Sequence, residues 1–106
     1  SLYDGNRNLL ASTNNDTTTA WAASTLKTLN IATPYTITQT GLYYLGIMVA
    51  ASTVPTLICT TASPVNTLAL QAPILRGNST TGLTTTMPAT AAAITAGLNA
   101  IWGCIK

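Results

Sequence analysis

Hydrophobic and polar positions alternate from Tyr35 to Thr38, with Tyr35 and Ile37 set against Thr36 and Thr38. After Gln39-Thr40-Gly41 the alternation gives way to a continuous apolar run from Leu42 to Val49. A two-residue period predicts a strand with one wet face, and a continuous run predicts a strand covered on both faces. The rest of the chain repeats the strand pattern in shorter pieces. Leu2-Tyr3 before Asp4-Gly5-Asn6 predicts a short strand and a tight turn. Asn14-Asn15-Asp16 marks a polar loop, and Pro34 forces a turn after Leu26, Leu29 and Ile31. Val54 to Ile58 begins another segment, which Pro64 punctuates. Leu68, Leu70 and Ile74-Leu75 precede a polar loop over residues 76–82.

The last third is ambiguous by pattern. Alanine has the best helix propensity, so a short helical turn near Ala91 to Ile94 is one expectation. Gly97 and the threonines at 90 and 95 oppose a helix, and Leu98 to Ile105 predicts a final strand. Short strands with turn signals every eight to twelve residues suggest an all-β antiparallel sandwich or barrel. No repeat of fixed period is present, which removes solenoids.

Composition narrows this further. The 106 residues suit a single domain, in which strands and polar loops over 1–33 lead into a core over 34–106. Roughly one residue in five is threonine, which fits the pleated surface of a sheet. Charged residues are 6% of the chain, against about 25% in an ordinary globular protein. The net charge of +2 is scattered, so binding nucleic acid by neutralising phosphates is not expected. No charge occurs between Lys27 and Arg76, yet the densest apolar stretch there is about half the 20 residues that a membrane span needs. The serine at position 1 suggests a processed chain or a piece of a longer one, and no signal peptide is visible.

Candidate chemistry is sparse. Without histidine, neither a Ser-His-Asp triad nor a histidine-centred metal site can form within the chain. Asp4 and Asp16 are the only carboxylates, and both sit in turn-forming sequence. Cys59 and Cys104 are too few for a structural zinc site, and they read either as one disulfide or as two buried thiols. No phosphate-cradling glycine loop occurs. Asn15-Asp16-Thr17 and Asn78-Ser79-Thr80 match the N-glycosylation pattern, which matters only in a eukaryotic secretory setting. The expectation is a non-enzymatic chain with no cofactor and no metal.

The apolar run poses a packing problem. Its strand period places Leu42, Tyr44, Gly46 and Met48 on one face and Tyr43, Leu45, Ile47 and Val49 on the other. One face fills the chain's own core, and the other requires a partner. A homotrimer around a three-fold axis supplies one, with the Tyr44 face as the expected interface and the Tyr43 face as the expected core.

"YTITQTGLYYLGIMV" resembles the central signature of the tumour necrosis factor and complement-globular-head superfamily, in which an aromatic-rich strand after a "TxxGxY" turn lines a trimer. Most of the chain carries a nearer likeness. "LLAST", "TAWAASTLKTLNIATPYTITQTGLYYLGIMVAASTVPTL", "APILRG" and "TGLTTTMPAT" together resemble C-terminal head domains of minor tail, tail-fibre and head-fibre proteins, chiefly of actinobacterial phages. The resemblance implies a trimeric jelly roll displayed on the virion surface among other virion proteins. Cys59 and Cys104 stand where that family has small or apolar residues, so the likeness implies no disulfide.

Three functions follow as expectations. The first is a phage appendage head that contributes to attachment, with hydroxyls and amides meeting a host cell-envelope glycan and Trp21 or Trp102 offering it a flat face. The second is a capsid decoration, cement or fibre-cap domain with no receptor. A remote third is a threonine-rich ice-binding protein, suggested by Thr36, Thr38 and Thr40.

Overall fold

The computed structural model describes residues 1–17, 20–57, 59–61, 77–78, 83, 85–97 and 99–101. Among these residues all regular structure is β and none is helical. No helix there is long and apolar enough to cross a membrane. The chain divides into two compact units, one of Ser1–Pro55 with Leu83–Thr90 and one of Thr56–Gly82 with Ala91–Lys106. Residues 1–33 and the opening of 34–106 therefore lie in the same unit.

The first unit is built on three short strands: β1 (Leu2–Asp4), β2 (Leu9–Ala11) and β3 (Tyr43–Leu45). Their order is β2-β1-β3, antiparallel throughout, so the strand nearest the start of the sequence is the central one. The expected tight turn joins β1 to β2. Arg7 N–H donates to the Asp4 carbonyl at 2.9 Å, and Asp4 N–H donates to the Asn8 carbonyl at 3.0 Å. Arg7 holds a φ of 69°, the left-handed residue that closes a three-residue hairpin loop.

The Asp4 carboxylate reinforces that turn by accepting from the Asn8 backbone N–H at 2.8 Å and from Asn8 Nδ2 at 3.1 Å. The Asn8 backbone bond, followed by smaller contributions, holds the Asp4 carboxyl below its ordinary range. A lowered folded pKa adds stability that is complete above the unfolded value near pH 4 and disappears as pH falls through the folded value. Thermal unfolding followed from pH 6 to pH 2.5 should thus show a steeper acid loss in the parent than in Asp4→Asn. Superimposable pH profiles would disprove the contribution.

Leu2 and Tyr3 point to opposite faces of the sheet and are both buried, at 6% and 3% exposure, and Ala11 of β2, paired with Leu2, is buried with them. The strand covered on both sides is therefore β1. Tyr3 lies opposite Tyr44, and a Cβ built on Gly46 would meet the Tyr3 ring at 3.2 Å and Met87 Cε at 3.1 Å. The Tyr3 hydroxyl donates to the Pro88 carbonyl at 2.9 Å, which fixes residues 87–88 over this face.

The predicted long strand over 42–50 is cut to Tyr43–Leu45. Its partner sets this length, because β1 offers only Leu2–Asp4, which pair in turn with Leu45, Tyr44 and Tyr43. One further step of pairing survives: Ser1 N donates to the Gly46 carbonyl at 3.0 Å, and Gly46 N–H donates to the Ser1 carbonyl at 2.9 Å. The alternating segment Tyr35 to Thr38 is exposed on every residue and joins no ladder. Its apolar positions face no partner strand among the described residues, so alternation alone does not make it a strand.

Among the described residues, the second unit holds two antiparallel pairs. β4 (Cys59–Thr61) pairs with β7 (Asn99–Ile101), and β5 (Gly77–Asn78) pairs with β6 (Thr95–Ala96). The alanine run forms no helical turn over 91–94, and Thr95–Ala96 extends into β6 instead. Gly97 and Gly77 approach closely there, since a Cβ on Gly97 would lie 3.3 Å from Gly77 Cα. The final strand predicted over 98–105 appears as β7, with Leu98 and residues 102–105 outside the described set.

Candidate functional site

The first unit sends out a long excursion between Thr13 and Ile31, closed at its base by an isolated antiparallel bridge between those two residues. Ala32 N–H donates to the Ser12 carbonyl at 2.9 Å and continues the closure. The tip turns at Ser24, which adopts a left-handed φ of 57°, and the Thr25 hydroxyl donates to the Ala22 carbonyl at 2.7 Å. Serine tolerates such a position where a branched residue would not.

This closure brings residues 13–16 against residues 27–30 and leaves an open cleft of about 320 Å³ between them. An ion pair between Lys27 Nζ and Asp16 Oδ2 crosses it. The Asn15 side-chain amide donates to the Thr85 carbonyl, tying one wall to the 83–90 segment of the same unit. Amides of Asn14 and Asn30, hydroxyls of Thr13 and Thr28, and the apolar Leu29 complete the lining. Lys27 Nζ also lies 6.0 Å from the centroid of the Trp21 ring, within reach of a cation–π attraction. Trp21 keeps 38% of its surface exposed.

The two carboxylates have separate tasks, Asp4 in the β1–β2 turn and Asp16 in the pair with Lys27. Of the two candidate tryptophans, Trp21 stands beside this cleft, and Trp102 lies outside the described residues. Cys59 occupies the first position of β4, opposite Ile101, and Cys104 lies outside the described residues.

The predicted interface and core residues redistribute in the chain by itself. Gly46, assigned to the interface face, is met by Tyr3 and Met87, while Tyr44 and Met48 are half-buried and Leu42 is exposed. On the face expected to fill the core, Leu45 and Ile47 are 44% and 46% exposed. Tyr43 and Val49 are half-buried, and the Tyr43 hydroxyl donates to the Gln39 carbonyl at 2.8 Å. β1 contributes to this distribution: Tyr3 packs against Gly46 on the Tyr44 face, while Leu45, opposite Leu2, and Ile47 keep nearly half of their surface exposed.

Sequence pattern marks Asn14 and Asn15 as a polar loop, with Asn15 in a glycosylation pattern, and does not single out Thr28 or Asn30. The available signal was the asparagine pair before Asp16 and the single Asn30 shortly after Lys27, two opposite charges eleven positions apart. No family model, curated protein or solved structure matches the chain.

Proposed function

We propose that this chain is a non-enzymatic virion domain, a homotrimeric phage appendage head of jelly-roll type that contributes to host-surface attachment. One observation carries the assembly: Leu45 and Ile47, two positions apart on one face of the run, stand exposed on a segment without charge, and Tyr35, Ile37 and Val54 are exposed in the sequence around them. Large exposed apolar groups grouped in this way mark interaction surfaces. A neutral surface presents no like-charge repulsion to a second copy of itself, and obligate interfaces resemble a domain core cut in half. The jelly roll, the phage setting and the place on the virion surface rest on the sequence resemblance.

Because Tyr3 and Met87 lie over the Tyr44 face, the contact between copies is assigned to the opposite face, through Leu45 and Ile47. Multi-angle light scattering on the intact chain should give a trimer. The double substitution Leu45→Asp/Ile47→Asp should release monomers with an unchanged far-UV circular dichroism spectrum. A parent chain that stays monomeric and soluble at micromolar concentration, or a double variant that stays trimeric, overturns the assembly. Whole-cell binding then separates attachment from architecture: a trimer that binds no host envelope is a decoration or cap domain.

A further inference from the structure

We propose that the cleft between residues 13–16 and 27–30 is a subsite for a neutral saccharide, with the Trp21 ring as an apolar platform at its side. The inference rests on the attachment function proposed above and assigns that function a place and a ligand class.

Charge selects the class first. Asp16 and Lys27 neutralise one another across the cleft, so it favours neither an anion nor a cation. Other polar groups in the lining are amides and hydroxyls, supplied by Thr13, Asn14, Thr28 and Asn30. Each carries both a donor and an acceptor, which matches the mixed hydroxyl pattern of a sugar. Neutral sugars also present an apolar C–H face, and Leu29 in the lining and Trp21 nearby provide apolar surface for it.

Size and rigidity agree with this assignment. A volume of about 320 Å³ falls at the lower end of small-molecule sites, which run from about 300 to 1,000 Å³. That admits one or two sugar rings rather than a long chain. Backbone pairing closes the base of the cleft, through the Thr13–Ile31 bridge and the Ser12–Ala32 hydrogen bond, and the Asn15 amide ties one wall to Thr85. Lys27 is held by Asp16 and lies near the Trp21 ring, which limits the orientations open to it.

The test is saturation-transfer difference NMR on the intact chain with galactose, rhamnose, N-acetylglucosamine and lactose, each at millimolar concentration, and with glucuronate as the charged control. Transfer to at least one neutral sugar is expected, with amide shifts changing at Asn14, Thr28 and Asn30. Asn30→Ala and Thr28→Val should each weaken binding by about tenfold, the effect of losing one well-made hydrogen bond. Trp21→Ala should weaken it as well. The first two residues are exposed and lie outside every strand, so these variants keep the fold, which circular dichroism verifies. No transfer from any neutral sugar, transfer to glucuronate alone, or binding unaltered in all three variants overturns the proposal. Light scattering on the same samples keeps the two proposals apart. A trimer that binds no sugar refutes the subsite alone, and a monomer that binds sugar refutes the assembly alone.

Discussion

Tyr3→Ala is expected to cost about 3–5 kcal/mol, the range for removing a large aromatic side chain from a packed core. Tyr3 is 3% exposed, sits on the central strand and packs over Gly46 and Met87. Its loss opens a cavity on the covered face and removes the donor to Pro88 at the same time. Whole domains are stable by only about 5–15 kcal/mol, so this one change consumes much of the margin. Urea unfolding followed by far-UV circular dichroism measures it. Tyr3→Phe separates the two causes, because it keeps the ring and removes only the hydrogen bond, for about 0.5–1.5 kcal/mol. A Tyr3→Ala chain with the parent's unfolding midpoint would show that the packing around β1 contributes little.

Gly77→Ala is the second large effect, and it acts in the other unit. A methyl at position 77 would sit within the radius of the Thr95 carbonyl oxygen, 2.8 Å from the Thr95 carbonyl carbon and 3.0 Å from Ile94 Cγ2. Backbone atoms cannot rotate away as a side-chain tip can. The substitution should therefore part β5 from β6 and break the Gly77–Ala96 and Asn78–Thr95 pairing, at a cost of about 1–3 kcal/mol or more. Amide hydrogen exchange at Thr95 and Ala96 should rise well above the parent rate. Gly41→Ala is the internal control: nothing lies within 4 Å of a Cβ there, so its effect should stay within about 0.5 kcal/mol. Equal behaviour of the two variants would refute the close approach at Gly77.

Local features of the sequence translated directly into structure. Leu2-Tyr3 became a strand and Asp4-Gly5-Asn6 its turn, because a hairpin loop is encoded within a few residues. Gly97 and Thr95 weighed against a helix, and the chain is extended there. The length of β3 was not legible in the same way. Leu42 to Val49 is apolar throughout, but a ladder runs only as far as its partner, and β1 gives three residues. Nor could pattern alone reveal which face of the run is covered, since Tyr3 and Met87 arrive from distant parts of the chain. The same limit applies to the cleft. Trp21 suggested a contact surface, but its polar walls meet only through the pairing of Thr13 with Ile31.

The central place of β1 also sets an order of events during synthesis. Of these strands, β1 leaves the ribosome first and waits for partners far along the chain. Gly46, which extends its pairing with β3, follows Ser1 by 45 residues, and Pro88 follows Tyr3 by 85. At about 5–20 residues per second, Tyr3 waits roughly 4 to 17 s for its cover. Until Gly46 emerges Leu2 and Tyr3 belong to a two-stranded hairpin, a form that is marginal in water by itself, and until Pro88 emerges the Tyr3 face lacks its cover. Long-range closure of this kind slows folding and keeps sticky surface open to neighbouring chains. Nascent chains halted between Ile47 and Met87 should therefore be the ones that chaperones retain or that aggregate.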